Sequence, residues 1–337
     1  MTVLVTGGAG YIGSHTVLAL LDRGEDVIVL DNLSTGFESA IPDGVSLVFG
    51  NVGDRALLDD LFGRAQIDAV IHFAGSIVVP ESVADPLGYY HNNTVNSREL
   101  IAACVAHSIP HFIFSSTAAV YGTPVRIPVS EFAAPAPISP YGRSKLMTEW
   151  MLMDASKPHH LNYTALRYFN VAGADPSGRA GQSTIGANHL VKAAIECALG
   201  KRDHVAIFGA DFDTPDGTGV RDYIHVTDLA AAHVNALAYL RVGGESCVMN
   251  CGYGRGSSVR DVLAAVQRVT GVSLPVLECA RRAGDPASVV ADVGLIKSIL
   301  NWSPRYDDLD LIVRHAFGWE RHLIQQAVEI DEGRQPA

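Results

Sequence analysis

The sequence predicts an α/β protein with a doubly wound parallel sheet and a smaller mixed α/β C-terminal domain. Short apolar segments alternate with helical segments in the first half, a pattern typical of parallel strands covered by helices on both faces. A glycine-rich turn separates the first strand from the first helix, and after Asn170 the composition changes to glycine, alanine and polar residues without clear periodicity. A chain of 337 residues is long for a single hydrophobic core. We therefore expect a first domain at 1–170, to which the chain returns near 221–241, and a second domain at 171–337.

The first elements form a strand–turn–helix unit. Residues 3–6 (Val-Leu-Val-Thr) predict a buried strand, a helix is expected to end near residue 23, and a second strand is expected at 26–30. The turn between strand and helix contains Gly7, Gly10 and Gly13. These glycines allow the backbone to turn sharply and to approach a diphosphate, which the N–H groups at the helix N-terminus attract. The unit therefore predicts dinucleotide binding.

The second strand ends at Asp31, about 20 residues after the glycines. A carboxylate at this position accepts hydrogen bonds from the adenosine ribose hydroxyls and repels a 2′-phosphate. No arginine follows within residues 32–36 to neutralise such a phosphate. The sequence therefore favours NAD over NADP.

The remaining segments of the first half continue the alternation. Strands are expected at 45–49, 69–75, 111–115 and 164–169, and helices at 55–64 and 91–107. Ligands of such sheets bind beyond the carboxyl ends of the strands. The expected strand ends are Thr6 and Gly7, Asp31, Phe73 to Gly75, Ser115 to Thr117 and Tyr168 to Asn170. We expect the chemistry at this rim of the sheet.

The second half contains weaker patterns. Residues 171–188 predict a loop that closes over a ligand, and residues 211–219 an acidic loop. Helices are expected at 188–199, 226–241, 258–270, 292–300 and 308–325, strands at 205–208, 247–250 and 274–278, and a frayed tail from Glu329. No internal repeat or low-complexity segment is present.

Composition excludes several classes of protein. The net charge of −11 disfavours a nucleic-acid surface and adsorption to anionic membranes. We find no signal peptide and no apolar stretch of about 18 residues. Five scattered cysteines include Cys247 and Cys251, which lack a partner pair, so neither zinc nor another metal is expected. Free thiols favour a cytoplasmic enzyme.

Tyr141 and Lys145 form the candidate catalytic pair. Ser139 is a favourable N-cap and Pro140 suits the first helical position, so a helix is expected to begin here. Residues four apart lie on one face of a helix. A lysine ammonium beside a tyrosine hydroxyl favours the phenolate and lowers the tyrosine pKa, which prepares the tyrosine to accept a proton. The spacing alone is weak, because it also occurs on ordinary surface helices.

Several motifs together resemble the extended short-chain dehydrogenase/reductase family, which has a Rossmann domain: residues 7–13 (Gly-Gly-Ala-Gly-Tyr-Ile-Gly), 115–117 (Ser-Ser-Thr), 141–145 (Tyr-Gly-Arg-Ser-Lys) and 167–170 (Arg-Tyr-Phe-Asn). Other segments narrow the resemblance to the UDP-glucose 4-epimerase family: residues 31–34, 72–75, 81–83, 221–226 and 281–286. The resemblance covers residues 2 to about 319 and is far more specific than any single motif.

The resemblance implies a reaction at C4 of a UDP-sugar. NAD takes a hydride from C4, the 4-ketosugar rotates in the pocket, and the hydride returns to its other face, which interconverts UDP-galactose and UDP-glucose in galactose metabolism. By similarity Tyr141 is the base. Lys145 holds the nicotinamide ribose and depresses the pKa of Tyr141. Thr117 hydrogen-bonds the sugar hydroxyl.

The resemblance also assigns the binding residues. The cofactor-binding residues it implies are Gly7, Gly10, Tyr11, Ile12, Gly13, Asp31, Asn32, Ser34, Gly36, Asn51, Val52, Phe73, Ala74, Gly75, Asn92, Ser115, Tyr141, Lys145 and Tyr168. The substrate-binding residues it implies are Thr117, Tyr141, Asn170, Asn188, Arg221, Tyr223, Arg282, Asp285 and Val289. Arginine forks suit diphosphate oxygens, and an acid binds ribose hydroxyls.

Three residues depart from the family pattern. Ile77 replaces a lysine that some members place near the nicotinamide ribose, and Asn51 replaces an aspartate that often meets the adenine. Val289 occupies a position that limits sugar size and is smaller than the tyrosine of some members, so N-acetylated UDP-sugars are expected to fit.

The motifs leave alternative functions open. A 4-epimerase of another UDP-sugar, such as a uronate or pentose, fits the same motifs. A 4,6-dehydratase would need an Asp-Glu pair after Thr117, where this chain has Ala118 and Ala119. A non-catalytic NAD-sensing protein would not need Tyr141, Lys145 and Thr117 together. The family also suggests a homodimer through the helices at 91–107 and 145–156.

Overall fold

The computed structural model describes residues 1–184, 186–282 and 284–331. The strands are β1 (Thr2–Thr6), β2 (Asp26–Asp31), β3 (Ser46–Phe49), β4 (Ile67–His72), β5 (His111–Thr117), β6 (Asn162–Tyr168), β7 (Asn170–Ala172), β8 (Val205–Phe208), β9 (Val220–His225), β10 (Cys247–Cys251), β11 (Gly256–Ser258), β12 (Val276–Cys279) and β13 (Ser288–Val289). The helices are α1 (Tyr11–Leu21), α2 (Arg55–Arg64), α3 (Val79–Ala84), α4 (Pro86–Tyr89), α5 (Asn96–Ala106), α6 (Pro140–His159), α7 (Leu190–Ala198), α8 (Val226–Arg241), α9 (Val259–Thr270), α10 (Gly294–Leu300) and α11 (Leu309–Asp331).

A seven-stranded parallel sheet forms the centre of the molecule, in the order β10-β6-β5-β4-β1-β2-β3. Its strands are buried on both faces: Val3 and Val5 belong to one hydrophobic cluster, and Leu4 between them belongs to another. The predicted doubly wound α/β class is therefore confirmed. The chain passes from β1 outward to β2 and β3 and then crosses to β4 on the other side of β1. Such a switch point opens a crevice at the carboxyl ends of the strands.

The chain returns to this sheet late in the sequence. Helix α8 packs against α1, β5 and β6, and β10 then extends the sheet edge beside β6. Arg241 fixes the end of α8 by ion pairs to Asp68 (2.8 Å) and Glu25 (2.5 Å). The sequence predicted that the chain returns to the first domain near 221–241. In the structure the chain returns to the central sheet with α8 and β10, whereas β9 lies in another sheet.

The C-terminal part contains two small sheets. Strand β9 pairs with β11, β13 and β7, and β8 pairs with β12. The sequence did not predict β7, β9, β11 or β13, because these strands are two to six residues long and lack an alternating apolar pattern. The expected loop at 171–188 therefore begins within β7. Helices α7 and α11 pack on α9 and complete this part.

The helix predicted at 91–107 differs in detail from the structure. A π-helical segment covers Tyr90–Val95, and α5 continues regularly from Asn96. The tail predicted to fray from residue 329 is helical to Asp331, and residues 332–337 lie outside the described residues. Within the described part of the chain, no helix combines the length and apolar character needed to cross a membrane.

Candidate active site

The glycine turn joins β1 to α1 and has no space for side chains. A Cβ atom on Gly13 would lie 2.1 Å from the carbonyl oxygen of Gly7, and one on Gly7 would lie 2.6 Å from the backbone nitrogen of Ala74. Gly7 also has a positive φ of 72°. The N-cap of α1, Gly10, forms no side-chain capping bond. The turn therefore presents bare backbone N–H groups at a helix N-terminus, an arrangement that fits the diphosphate of NAD.

Asp31, at the end of β2, is buried beside this turn. One carboxylate oxygen accepts from Ala9 N (3.0 Å) and the other from Leu33 N (2.8 Å). Each oxygen has a further lone pair, so the carboxylate can also accept from ribose hydroxyls. Gly36 lies against Ala9, where a Cβ would come within 2.7 Å of the Ala9 carbonyl carbon. The predicted ribose-binding residue is therefore held by the turn itself.

The other predicted cofactor residues lie along the same rim. Asn32 Oδ1 accepts from Ser34 N (3.1 Å), and Asn51 Oδ1 accepts from Gly53 N (2.8 Å) beside buried Val52. Tyr11 donates to Gly173 O (2.7 Å), and Ile12 packs against one of the two main cores. Asn51 thus uses one lone pair within its own loop and retains one for the adenine amino group.

The end of β4 is fixed by the π-helical segment. The backbone N–H groups of Phe73 and Ala74 both donate to Thr6 O. Asn92 donates to Ser76 Oγ (2.8 Å). The sequence did not single out Asn93. Its side-chain oxygen accepts from Ser76 N, and its side-chain nitrogen donates to Ser76 O and to Ser144 Oγ on α6 (3.1 Å). These bonds connect the loop after β4, which contains Gly75, to the catalytic helix.

Helix α6 begins as the sequence predicts. Ser139 Oγ accepts from Gly142 N (3.1 Å), and Pro140 is the first helical residue. Tyr141 and Lys145 are both buried on the face that meets the end of β5. The Lys145 ammonium donates to Ser115 O (3.0 Å) and lies 5.0 Å from the centre of the Phe114 ring. Burial lowers the pKa of Lys145 to about 8.

The protonation of Tyr141 differs from the prediction. The sequence predicts that Lys145 lowers the Tyr141 pKa, but burial raises this pKa above its ordinary value in the protein alone. A hydrogen bond with the Thr117 side chain acts in the opposite direction. Thr117 Oγ1 itself accepts from Ala119 N (3.1 Å), which leaves the hydroxyl proton for Tyr141. The Thr117 side chain therefore favours the phenolate, and the lowering of the Tyr141 pKa by Lys145 stays a prediction.

The predicted substrate residues converge on β9. Arg221 lies on this strand and pairs with Asp285 (2.8 Å). Val289 of β13 is the register partner of Arg221, and Asn170 of β7 is the register partner of Tyr223. Five predicted residues are therefore brought together by one strand that the sequence did not predict.

The two remaining substrate residues lie apart from β9. The Arg282 guanidinium stacks on the Phe208 ring at 3.7 Å, at the end of β8. Asn188 is exposed, just before α7, and forms no described contact with the other predicted residues. Ala283, between Arg282 and Gly284 in the predicted motif, lies outside the described residues.

Asp222, to which the sequence assigned no role, and the predicted cofactor residue Tyr168 both form contacts that support the site. Asp222 is buried next to Arg221 and accepts from the backbone N–H groups of Tyr253, Gly254 and Ala291. Burial raises its pKa to about 6. Tyr168 bonds to Ser115 through its hydroxyl (2.8 Å), and burial raises its pKa. Both contacts are tertiary, so only the position of Asp222 beside Arg221 could have indicated its role.

Comparisons with known proteins agree with this site. The sequence profile of the NAD dependent epimerase/dehydratase family matches residues 3–252. A UDP-glucose 4-epimerase of Azospirillum brasilense is 56% identical over 96% of this chain and 93% of its own length. One of Halalkalibacterium halodurans is 47% identical over 95% of this chain and 96% of its own.

Solved structures give the same result. The UDP-glucose 4-epimerase of Brucella ovis in complex with NAD matches with a TM-score of 0.91 and 45% identity, over 94% of this chain and 98% of that one. The UDP-Glc/GlcNAc 4-epimerase of Campylobacter jejuni matches with a TM-score of 0.84 and 48% identity, over 95% and 99%. The predicted family, fold class and NAD dependence are confirmed. The chain belongs to the NAD dependent epimerase/dehydratase family and, within it, to the UDP-glucose 4-epimerases.

Proposed function

We propose that this chain interconverts UDP-glucose and UDP-galactose at the rim formed by the glycine turn, the end of β5 and the start of α6. The observation that carries the proposal is the burial of Tyr141, Lys145 and Thr117 together at one rim, beside a turn shaped for a dinucleotide. A nucleotide-binding protein without catalysis would not need a buried base with a hydroxyl partner. The pair therefore favours an enzyme over a sensor.

Tyr141 takes the proton from the sugar 4-hydroxyl and returns it after the sugar has turned. A bound NAD would supply the reversible acceptance of the hydride from C4, and its positive ring would favour the Tyr141 phenolate. Thr117 hydrogen-bonds the same sugar hydroxyl and favours the Tyr141 phenolate before the first proton transfer and after the second. Burial excludes water, which protects the 4-ketosugar and strengthens both hydrogen bonds.

Lys145 holds the nicotinamide ribose and keeps a positive charge at the site. Its pKa of about 8 leaves the ammonium protonated at neutral pH. One ammonium hydrogen is used by Ser115 O, and an ammonium has three. Two donors therefore remain for the ribose hydroxyls, while the bond to Ser115 fixes the side chain.

Arg221, Arg282 and Asn170 anchor the UDP diphosphate, and Asp285 binds the uridine ribose. The Arg221–Asp285 pair fixes one guanidinium edge and leaves its other donors for phosphate oxygens. The Phe208 ring holds the Arg282 guanidinium plane in a similar way. The diphosphate is thereby held while the sugar rotates, as the reaction requires.

N-acetylated UDP-sugars are a second substrate class. Val289 is packed with Val120, Tyr121 and Phe169 and is smaller than a tyrosine would be at this position. The Campylobacter jejuni relative is described as a UDP-Glc/GlcNAc 4-epimerase. Both observations favour a sugar pocket that admits an N-acetyl group.

The same proposal includes a cytoplasmic homodimer. On α6, Leu146 and Leu152 are buried, whereas Trp150 and Met153 are half exposed. Exposed apolar side chains on a helix favour burial against a second copy. The five cysteines are unpaired, which is typical of a reducing compartment. We also retain the division at residue 170 into an NAD-binding and a UDP-sugar-binding domain.

The test is an assay of the purified protein on UDP-galactose, UDP-glucose and their N-acetylated forms, without added NAD. We expect interconversion by the native chain. The Tyr141→Phe variant should lose turnover about 10³-fold while its NAD content is unchanged, because only the proton-transfer group is removed. An inactive native chain that contains NAD, or a fully active Tyr141→Phe variant, would refute the proposal.

A further inference from the structure

A buried ion pair lies directly beneath the catalytic helix. Glu149 of α6 and Arg167 of β6 are 4% and 5% exposed at their side chains. The Arg167 Nε donates to one carboxylate oxygen (2.9 Å) and an Nη to the other (2.5 Å), so the pair is a two-bond fork. Neither residue of this pair has a role in the proposed reaction.

The ion pair also contacts the strand that contains Thr117. Ser116 Oγ donates to Glu149 Oε1 at 2.5 Å, and Ser116 is fully buried. Tyr141, Lys145 and Glu149 are spaced four apart and share one face of α6. Lys145 and Glu149 bond to Ser115 and Ser116 of β5, and Tyr141 lies near Thr117, the next residue of the same strand. The helix is therefore bonded to the strand at two points, and Glu149 is the one farther from Tyr141 along the helix.

Arg167 is held on its other side as well. Its second Nη donates to the Tyr121 hydroxyl (3.0 Å), and its guanidinium lies 4.9 Å from the centre of the Tyr121 ring. The Tyr121 hydroxyl in turn donates to Asn250 Oδ1 (2.6 Å) on β10. The chain of contacts leaves the guanidinium little freedom, so Glu149 is fixed relative to the sheet.

A buried ion pair contributes little net stability, because desolvation offsets the attraction between the charges. A two-bond arginine fork does, however, fix geometry. We infer that Glu149 is a positioning residue: through Ser116 it sets the register of α6 on β5 and so the approach of Tyr141 to Thr117. This inference rests on the proposed function, because it assigns Tyr141 and Thr117 to proton transfer.

The decisive variant is Ser116→Ala, which removes the link to β5 and keeps the ion pair. Small misplacements of a catalytic group have large effects on rate. We expect kcat to fall about tenfold, with KM for the UDP-sugar and the NAD content unchanged within about twofold. The control is Ser258→Ala, which also removes a serine bond to a carboxylate, here Asp216, at 2.5 Å, together with the N-cap bond from Asp261 N at the start of α9. We expect this control to retain the kcat of the native chain.

Thermal unfolding separates positioning from stability. Both serine variants should lower Tm by at least about 2 °C, and Ser258→Ala by more, because it also removes the N-cap of α9. A loss of kcat confined to Ser116→Ala, the less destabilised variant, therefore supports positioning. A second variant, Glu149→Gln, keeps the size of the side chain but leaves the Arg167 charge buried without a full partner, and its kcat should fall further. Its NAD content should be retained.

Two outcomes would overturn the inference. One is a Ser116→Ala variant with native kcat and a lowered Tm. The other is a fall in kcat accompanied by loss of NAD or a proportional rise in KM, which indicates general disruption of the site. A native chain without turnover would instead refute the proposed function, and the two failures are therefore distinguishable.

Discussion

At the scale of single residues, Thr117 controls the protonation of the base. Burial raises the pKa of Tyr141 and the hydrogen bond with Thr117 lowers it. The titratable groups that face Tyr141 are Lys145 on its own helix, Tyr168 of β6 and Tyr89 of α4. The two tyrosines are neutral near pH 7, because burial raises both of their pKa values. Thr117 is therefore the contact through which a substitution should change the pH dependence.

We predict that Thr117→Val shifts the rising limb of kcat/KM to higher pH. Without the hydroxyl, the effect of burial is offset less, so the pKa of Tyr141 rises further and the phenolate forms only at higher pH. Activity at neutral pH should fall about 10- to 100-fold. Thr117→Ser keeps the hydroxyl and should keep the native limb. A native pH profile in Thr117→Val would contradict this role.

The second residue-scale prediction concerns Val289. Replacing it with tyrosine adds a ring beside the cluster of Val120, Tyr121 and Phe169, where we place the N-acetyl group. Val289→Tyr should lose turnover of UDP-N-acetylgalactosamine and retain turnover of UDP-galactose, whereas Val289→Ala should retain both. The measurement is the ratio of kcat/KM for the two sugars. An unchanged ratio in Val289→Tyr would remove this residue from the sugar pocket.

At the scale of elements, a substitution in the glycine turn tests whether this turn binds the cofactor. A Cβ on Gly13 would lie 2.1 Å from Gly7 O, so Gly13→Ala must displace the turn from the position that fits a diphosphate. We expect purified Gly13→Ala to contain little or no NAD. Gly63→Ala in α2 is the control, because a Cβ there meets no atom within 4 Å. That control should keep NAD and gain about 0.5–1 kcal/mol of stability.

The cap of α6 offers a milder test at the same scale. Ser139→Ala removes the bond to Gly142 N and should cost about 1 kcal/mol of stability. Because Tyr141 lies in the first turn, fraying of this turn should also lower kcat, whereas Ser139→Thr keeps a capping oxygen and should preserve both. Thermal unfolding and steady-state kinetics measure the two effects. Native kcat in Ser139→Ala would show that the first turn holds without its cap.

Comparison of the predicted and observed elements shows which helices and strands could be predicted from the sequence. Helices α2 and α8 occur at their predicted bounds, because apolar periodicity and caps are local signals. Strand β9 was missed, because the charged residues Arg221 and Asp222 interrupt the apolar alternation that predicts a strand. The π-helical segment at Asn92 and Asn93 likewise has no periodic signal. Both elements are stabilised by tertiary contacts.

The candidate site also has features that the sequence predicted and features that it could not predict. Motif resemblance indicated Tyr141, Lys145 and Thr117, and the structure buries all three at one rim. The direction in which the protein shifts the pKa of Tyr141 could not be predicted, because burial is a property of the folded chain. The contact between Ser116 and Glu149 was also hidden, since 33 residues separate the two.

At the scale of the whole molecule, α6 serves two surfaces. One face presents Tyr141 and Lys145 to the sheet, and the opposite side exposes Trp150 and Met153. Contacts between two copies through the exposed side would restrain the helix that positions the base. The proposed homodimer is therefore linked to catalysis through one element.

We predict that Trp150→Glu dissociates the homodimer, because a charge would be buried in an apolar contact. Light scattering on a sizing column should give twice the chain mass for the native protein and the chain mass for the variant. Phe132→Glu is the control, since Phe132 is 89% exposed on the loop before α6 and is not part of the helix. It should remain dimeric. A monomeric native protein, or dissociation by Phe132→Glu as well, would reject α6 as the contact. Because α6 also holds Tyr141, the Trp150→Glu monomer should unfold at a lower temperature and show a lower kcat at native NAD content.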